Sequence, residues 1–335
     1  MGHRSQWFEA TRPAKTSRFR GNVKIDKNLY IGGSQIPVTS PGTIYYVDPT
    51  NGSDDKNGLT WDSAKKTIQA AVDLTGDRTG DIIYVAPGKI QENVLIEKDH
   101  DSLKLVAIAG PWETQWRASD GTTKHAFTDT NAEAGSSSGI GLFVGARNVL
   151  VDGFCFDGGG GYVGVVVGDG YGVGDVTEGT SQNPASTRIV NCHFRASNEG
   201  TAISGLVLKG CSDNVIVDSC TFRNCDYGVY IASGSGRTNQ APIIKNCHFY
   251  GCSTYGVYKA NENTDINCQV IGCTFLDGDS NTMTYGVKMQ GTGVHFIAGN
   301  NFGCTNSWSA SATDWQSGNF KPVAGNSVTY CEMEA

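Results

Sequence analysis

The chain has 335 residues, of which 44 are glycine, and its formal net charge is −7. Glycine tolerates the backbone angles that tight turns need, so this composition favours an all-β fold of short strands. The longest apolar runs, Leu105–Ala109 and Tyr162–Val167, are too short to span a bilayer, so no membrane insertion is expected.

The first 44 residues are predicted to be a basic N-terminal arm. Seven basic and two acidic residues lie between Met1 and Asn28, which leaves −12 for the rest of the chain. The arm is either a solvated tail or an anchor that binds an acidic protein surface. The candidate anchoring residues are Arg4, Arg12, Arg18 and Arg20. Nucleic-acid binding is not expected, because the acidic body would repel a phosphate backbone.

Two further features bear on where the protein is made. No apolar segment follows the basic residues, as it would in a secretory signal, so we expect assembly in a cytoplasm. The chain has 11 cysteines, an odd number without zinc-finger spacing, and many of them fall at repeated positions. We therefore expect buried thiols rather than a disulfide framework, although the sequence leaves their redox state open.

Residues 45–110 are predicted to form a cap and the first coils of a solenoid. A strand and a polar loop precede a short helix, for which Ser63 is the predicted N-cap. Ala64, Ile68, Ala71 and Val72 form one apolar face of this helix, suited to cover the open end of a core.

The polar loop before the helix is a candidate Ca²⁺ site. Its carboxylates are Asp48, Asp54 and Asp55, and Asn51 and Asn57 add amide oxygens. Oxygen donors of this kind are the ligands that Ca²⁺ prefers, although the loop lacks EF-hand spacing. The alternative is a turn in which the same side chains accept hydrogen bonds from backbone amides. No other cofactor is expected.

Residues 111–304 contain a repeat of about 27 residues. Each unit has an apolar residue, two variable residues, Cys or Asn, one variable residue, Phe, a turn and then Gly followed by apolar residues. The phenylalanines are Phe156, Phe194, Phe222, Phe249, Phe275 and Phe302, at steps of 38, 28, 27, 26 and 27 residues. The long first step indicates an insertion at 168–187. Residues 305–335 are predicted to be a C-terminal tail.

Such units bury their apolar side only by stacking, with equivalent residues about 4.8 Å apart. The repeat therefore predicts an inward phenylalanine column beside a column of Cys192, Cys220, Cys247, Cys273 and Asn300. Residues between the inward ones, such as His193, Thr221 and His248, should point outward.

This pattern resembles the right-handed parallel β-helix, or pectate-lyase-like, family, in which an asparagine ladder often occupies the turn that carries cysteine here. The segments Tyr45–Gly58, Trp61–Val72 and Gly80–Gly88 look like the opening of β-helix proteins in polysaccharide lyases and phage spikes. Gly21–Gly33 looks like the strand repeats near the bases of phage fibres. The resemblance implies the fold, and a homotrimer if the protein is a phage fibre.

Two sets of residues are candidates for chemistry or binding. Family lyases use a basic residue with acidic Ca²⁺ ligands on an outer sheet face, and the candidates here are Arg195, Arg223, Asp218 and His248. No carboxylate recurs on adjacent coils, so the alternative is a set of solvated strand faces. Four tryptophans can stack on sugars or pack against partner subunits: Trp112, Trp116, Trp308 and Trp315.

Three functions follow as hypotheses. The first is a structural protein of a phage particle, such as a spike, fibre or capsid decoration, which attaches to other virion proteins through its arm and can bind host-surface glycans. The second is a polysaccharide lyase or hydrolase that acts on an acidic or capsular glycan. The third is a bacterial surface adhesin, which the lack of a signal segment disfavours.

Overall fold

The structure is a computed structural model that describes residues 29–31, 34–36, 42–117, 140–158, 163–168, 184–196, 204–210, 212–232, 240–260, 267–279, 281–290, 294–309, 315–323 and 327–331. The chain divides into two compact units, Met1–Ser40 and Pro41–Ala335. In the first unit, strands β1 (Leu29–Ile31) and β2 (Ser34–Ile36) pair antiparallel. The candidate anchoring residues Arg4, Arg12, Arg18 and Arg20 lie outside the described residues.

The second unit is built from three sheets, whose strands are numbered in chain order. Sheet 1 contains β3 (Ile44–Val47), β4 (Ile82–Val85), β7 (Lys104–Ala107), β10 (Leu150–Asp152), β13 (Arg188–Val190), β16 (Ile216–Asp218), β19 (Ile243–Lys245), β22 (Gln269–Ile271), β25 (Phe296–Ala298) and β28 (Trp315–Ser317). Sheet 2 contains β5 (Gly88–Gln91), β8 (Thr114–Arg117), β11 (Cys155–Asp157), β14 (His193–Arg195), β17 (Thr221–Arg223), β20 (His248–Tyr250), β23 (Thr274–Leu276), β26 (Asn301–Gly303), β29 (Asn319–Val323) and β30 (Ser327–Cys331). Sheet 3 contains β6 (Val94–Ile96), β9 (Ile140–Val144), β12 (Val163–Gly168), β15 (Ser204–Lys209), β18 (Tyr227–Ala232), β21 (Tyr255–Lys259), β24 (Tyr285–Met289) and β27 (Trp308–Ser309).

Each coil contributes one strand to sheets 1, 2 and 3 in turn, and successive coils pair in parallel. For example, β16 pairs with β19, β17 with β20 and β18 with β21. This arrangement confirms the predicted right-handed parallel β-helix. The coils continue past Cys304, where the sequence analysis places the start of the tail, because β27, β28 and β29 extend the three sheets. The last pairing in sheet 2, between β29 and β30, is antiparallel.

Stacked phenylalanines form one column of the core. The rings of Phe156, Phe194, Phe222, Phe249, Phe275 and Phe302 are buried, with neighbouring centroids 4.7–5.1 Å apart and ring planes within 4–15° of parallel. The ring spacing matches the spacing of adjacent strands, so each ring stacks on the equivalent ring of the next coil.

A ladder of thiols runs beside the phenylalanine column. The Sγ atoms of Cys192, Cys220, Cys247 and Cys273 lie 3.1–3.5 Å from the carbonyl oxygen two residues earlier, as hydrogen-bond donors. In the following coil Asn300 takes this position, where its Nδ2 donates to Val270 O at 2.9 Å and its Oδ1 accepts from Cys273 N at 2.8 Å. Burial raises the thiol pKa of Cys220 and Cys273, so these groups stay protonated.

A column of glycines faces the stacked rings from sheet 3. A Cβ atom at Gly256 would lie 2.6 Å from Phe275 Cδ1 and 2.6 Å from the carbonyl oxygen of Gly286. The equivalent atom at Gly228 would lie 2.6 Å from Phe249 Cδ1. Only a residue without a side chain therefore lets the backbone of sheet 3 close over the phenylalanine column.

The cap at the first coil differs in one respect from the prediction. A 3₁₀ turn, Trp61–Ser63, and a separate helix α1 (Ile68–Val72) replace the single helix that Ser63 was predicted to start. The prediction of Ser63 as N-cap is wrong, because the backbone after it is extended and Lys65 pairs with Val47 in a parallel bridge. Ala64, Ile68, Ala71 and Val72 are nevertheless all buried, and the last three belong to the core.

Helix α1 begins on two side-chain acceptors. Thr67 is its N-cap and accepts a hydrogen bond from Ala70 N at 3.2 Å. The carboxylate of Glu92 accepts from Ile68 N at 2.8 Å and from Gln69 N at 3.2 Å. Burial raises the pKa of Glu92 to about 7, against the two amide hydrogen bonds that favour its charged form. A second 3₁₀ turn, Lys98–His100, follows β6. Among the described residues, no helix combines the length and the apolarity that crossing a bilayer requires.

The glycine column yields a stability prediction. We expect Gly256→Ala to lower the free energy of unfolding by about 3 kcal/mol or more, because neither the backbone oxygen nor the stacked ring can move away. Gly80→Ala is the control, since Gly80 has a φ of +69° but nothing within 4 Å of its Cβ position. It should cost only about 1–2 kcal/mol of left-handed strain. Equal losses for the two variants in urea unfolding would contradict the steric role of the column.

Glu92 yields a pH prediction. Its folded-state pKa of about 7 lies above the ordinary value of 4.5, so folding favours its protonated form. The resulting stability is fully present below pH 4.5 and is lost as the pH rises to 7, a loss on the order of 3 kcal/mol. Glu92→Gln removes this titration. As the pH rises from 4.5 to 7, the free energy of unfolding of the variant should therefore increase relative to that of the wild type. Urea unfolding at several pH values measures the difference, and parallel curves would contradict it. The exposed Glu113→Gln serves as control.

Candidate functional site

The candidate catalytic residues lie on the outer faces of two different sheets. Arg195, Arg223 and His248 lie on sheet 2, whereas Asp218 lies on sheet 1. Arg195 Nη2 forms an ion pair with Asp157 at 3.1 Å, and the Arg223 guanidinium lies 5.4 Å from the ring centroid of Tyr250. Arg195 and Arg223 are register neighbours on adjacent strands of sheet 2, whereas Asp218 lies on sheet 1.

Asp218 is engaged within its own sheet. Its carboxylate accepts hydrogen bonds from Asn246 Nδ2 and from Ser219 Oγ at 3.0 Å each, and it lies 3.2 Å from Lys245 Nζ. Burial alone would raise the pKa of Asp218, but these partners outweigh it and hold the pKa below its ordinary value. The group is an ion-paired carboxylate that links adjacent coils.

The carboxylates of the predicted Ca²⁺ loop accept hydrogen bonds from backbone amides. Asp48 Oδ1 accepts from Thr50 N and from Asn51 N at 2.9 Å each. Asp54 Oδ1 accepts from Lys66 N and from Thr67 N at 2.9 Å each. Asp55 is exposed. In this arrangement the loop is a set of side-chain-capped turns, and a Ca²⁺ ion would compete with these amides for the carboxylates.

The four candidate tryptophans differ in burial. Trp116 is 1 % exposed and packs on Phe154 and Phe156, so its ring belongs to the core and cannot contact a ligand at the surface. Trp112 is 63 % exposed. Trp308 and Trp315 begin β27 and β28, and their side chains lie outside the described part of the structure.

Trp112 lies over a small cluster on the outer face of sheet 2. Its ring centroid is 4.6 Å from that of His193. Cys155 is the register neighbour of His193 in the adjacent strand. Burial and the nearby guanidinium groups of Arg195 and Arg223 lower the pKa of His193 to about 4, and burial raises the pKa of Cys155 to about 11. Both groups are therefore neutral at pH 7.

The most aromatic outer surface lies on sheet 3. In β18, β21 and β24, alternation sends valines into the core and aromatic side chains to the outside. We call this surface the tyrosine face. It consists of Tyr227, Tyr230, Tyr255, Tyr258, Tyr285 and Lys288.

The rings of the tyrosine face follow the coil register. The centroids of Tyr227 and Tyr255 are 5.7 Å apart, and those of Tyr255 and Tyr285 are 6.3 Å apart. In the second row, Tyr230 and Tyr258 stack at 5.4 Å with an interplanar angle of 11°. All except Tyr230 are partly exposed, so the rings form a ribbed surface that runs across three coils.

Polar groups border the rings. Lys288 Nζ lies 5.2 Å from the Tyr255 centroid and donates to the Tyr255 hydroxyl at 3.2 Å. The Tyr258 hydroxyl donates to Gln290 Oε1 at 2.8 Å. Burial, with Asp226 nearby, raises the pKa of Tyr227 to about 12, so its hydroxyl keeps its proton at neutral pH. The face thus combines flat apolar surface with hydrogen-bond donors and acceptors at its edges.

The sequence analysis did not identify the tyrosine face, although the repeat carries its signal. A tyrosine directly precedes Gly228, Gly256 and Gly286, and the residue two positions after each glycine is Tyr, Tyr and Lys. The same alignment also puts Cys155 in the outward slot of His193. Both features become visible when the outward residues at equivalent positions of successive repeats are aligned, as the inward residues were.

Comparison with known proteins supports the fold. A family model described as "Right handed beta helix region" matches residues 175–307. The pectin methylesterase PemA from Erwinia chrysanthemi aligns with a TM-score of 0.52 and 10% identity, over 85% of this chain and 90% of that chain. The Aspergillus niger pectin methylesterase aligns with a TM-score of 0.50 and 12% identity, over 86% of this chain and 88% of that chain. Escherichia coli YbhC aligns with a TM-score of 0.50 and 13% identity, over 87% and 89%.

These identities are low, and the likeness is therefore one of architecture alone. No curated protein matches the sequence. The function depends on the side chains that this chain presents on its own coils.

Proposed function

We propose that the chain is a structural protein of a bacteriophage particle whose tyrosine face binds a host-surface glycan. The β-helix serves as a rigid support for the face, and the basic arm attaches the protein to other particle proteins. The observation that carries the glycan-binding part is the tyrosine face itself, with four partly exposed aromatic rings on three successive coils.

A row of tyrosines suits a sugar chain for two reasons. A pyranose ring has an apolar face of C–H groups that packs on an aromatic ring, and hydroxyls at its edge that pair with groups such as the Tyr258 hydroxyl and Gln290. The rings also repeat at the coil spacing, so an extended polysaccharide can make the same contact with successive residues. Binding of this kind uses preformed, rigid side chains with little loss of conformational entropy.

The charged residues of the outer faces favour binding over cleavage. Glycoside hydrolysis needs two carboxylates on either side of the scissile bond, and a lyase needs a base near a bound cation. Asp157 and Asp218 are instead ion-paired with Arg195 and Lys245, one pair on each of two sheets. Within the described residues, no three His, Cys, Asp or Glu side chains are grouped to hold a metal ion.

The role in a particle is supported by the arm and by the sequence resemblance. The arm has a charge of +5 over 28 residues, which suits an acidic protein surface, and the body it joins is acidic. Met1–Ser40 is also a compact unit apart from the β-helix. The segment Gly21–Gly33 looks like the strand repeats near the bases of phage fibres, and the opening of the β-helix looks like that of phage spikes. The homotrimer that this resemblance implies stays a prediction.

Glycan binding can be tested with two variants. Capsular and lipopolysaccharide O-chain glycans on a microarray identify a ligand, and calorimetry gives its affinity. We expect Tyr255→Leu with Tyr258→Leu to weaken binding at least about fivefold, because each lost aromatic contact is worth roughly 0.5–1.5 kcal/mol. Leucine keeps much of the buried volume, so the fold should be retained. Tyr250→Leu, an aromatic residue on the outer face of sheet 2, is the matched control and should bind as the wild type does.

Three results would contradict this assignment. Binding that survives the double variant, or that falls equally in Tyr250→Leu, would move the site off the tyrosine face. Shortened glycan products would make the protein a depolymerase, the alternative function, and Arg195→Gln and Asp218→Asn would then identify the face that cleaves. Absence of binding across the array would leave no support for a glycan ligand.

The arm is tested by deletion of residues 1–28. We expect the truncated protein to fold with an unchanged melting temperature but to be absent from purified particles, because its anchor is lost. A variant with glutamine at Arg4, Arg12, Arg18 and Arg20 separates charge from length and should be incorporated poorly as well. Incorporation of both variants into particles at the wild-type level would contradict the anchoring role of the arm. Recovery of the wild-type protein with bacterial envelopes rather than particles would favour a surface adhesin.

A further inference from the structure

The cluster under Trp112 holds two ligating side chains that the proposed function does not use. Cys155 and His193 are register neighbours in β11 and β14. Their neighbours Phe156 and Phe194 point into the core, so the thiol and the imidazole point to the outer face. They are nevertheless only 1 % and 4 % exposed.

Among the described residues, the two groups have no side-chain hydrogen bonds of the kind that buried polar groups ordinarily make. No side-chain hydrogen bond joins either the Cys155 thiol or the His193 imidazole to another described residue. The ladder thiols make such bonds, as Cys192 Sγ does to Val190 O at 3.2 Å. The His193 side chain is 96 % buried, and one nitrogen of a neutral imidazole carries a lone pair that can bind a metal ion.

Trp112 packs on the imidazole of His193 from a segment outside the repeat. Its ring lies 4.6 Å from the His193 ring at an angle of 38°, while 63 % of its own surface stays exposed. The indole therefore packs on the His193 ring and exposes the rest of its surface to water. A tryptophan ring attracts a cation placed over its face more strongly than other aromatic rings do.

We propose that Cys155 and His193, beneath the Trp112 indole, bind a soft monovalent d¹⁰ ion, copper(I) or silver(I). Thiolate and imidazole are ligands that copper(I) favours, and low coordination numbers suit this class of ion. Zinc prefers four protein ligands, or three and a water. The nearest carboxylate in the adjacent row, Asp157, is engaged by Arg195 at 3.1 Å.

Charge balance supports a monovalent ion. Binding replaces the Cys155 S–H bond with an S–metal bond and releases the proton to solvent, while the neutral His193 donates a nitrogen lone pair. The thiolate and the ion together carry no net charge, so burial does not leave an uncompensated ion in a low-dielectric site. No electron is transferred in this step.

Silver(I) titration of the full chain is the first test, because silver needs no reductant. We expect one tight equivalent with quenching of Trp112 fluorescence, and loss of that quenching in Trp112→Phe. Cys155→Ala and His193→Gln should each weaken binding by more than about 100-fold. Loss of a residue that only supports a metal ligand through a hydrogen bond weakens metal binding by at most about 100-fold, so a larger effect identifies a direct ligand. Cys225→Ala, at a buried core thiol, and His248→Gln, at an exposed histidine on the same sheet, are the controls and should leave binding unchanged.

X-ray absorption of the copper(I) complex separates this site from the thiol ladder without relying on variants. One sulfur and one nitrogen ligand would support the proposal. Two or more sulfur ligands would place the ion among the ladder thiols and overturn it. The proposal also fails if silver binds no more tightly to the wild type than to Cys155→Ala, or if Cys225→Ala weakens binding equally.

Discussion

The packing of stacked phenylalanines against a column of glycines governs the rest of the structure. The rings repeat at 4.7–5.1 Å, the distance at which parallel strands pair, so ring stacking and backbone hydrogen bonding reach their optimum together. The glycines opposite let the backbone approach the rings more closely than any side chain permits. A slip of one residue would turn a phenylalanine into water and a polar residue into the core, so this interior determines the register of every coil.

A fixed interior register allows the outward positions to differ in chemistry from coil to coil. Some of these positions are themselves buried, such as Val166, Val207 and Tyr230, which belong to a second hydrophobic cluster on sheet 3. The slot before the stacked phenylalanine holds Cys155, His193, Thr221, His248, Thr274 and Asn301 in successive coils. On sheet 3 one outward position holds Val166 and Val207 in the earlier coils and Tyr230 and Tyr258 in the later ones. Function in such a solenoid is therefore a matter of which side chains line up on one outer face, and the same scaffold can carry unrelated sites on different faces.

The sequence predicted the interior much better than the surface, for a physical reason. Repetition of Phe and Cys at a nearly constant step indicates stacked coils, and the resemblance to β-helix proteins implied the right-handed parallel form. That fold class was confirmed. The contact of His193 with Trp112 could not be predicted, because Trp112 lies on a segment without a repeat, and no periodic pattern reports where such a segment folds. The start of α1 was misplaced for a similar reason, because the pairing of Lys65 with Val47 overrides the local capping signal at Ser63.

The exchange of asparagine for cysteine along the ladder shows how the same turn can be stabilised in two ways. Asn300 uses both ends of its amide, as it accepts from Cys273 N and donates to Val270 O. A thiol can only donate weakly to a carbonyl, but it packs as a small apolar group against the adjacent rings. The thiols occupy the middle of the solenoid, where phenylalanines lie on both sides. The amides of Asn300 and Asn319 occupy its last coils, where Asn300 N also donates to Asn319 Oδ1 at 3.1 Å. Hydrogen bonding therefore replaces apolar packing where the aromatic column comes to its end.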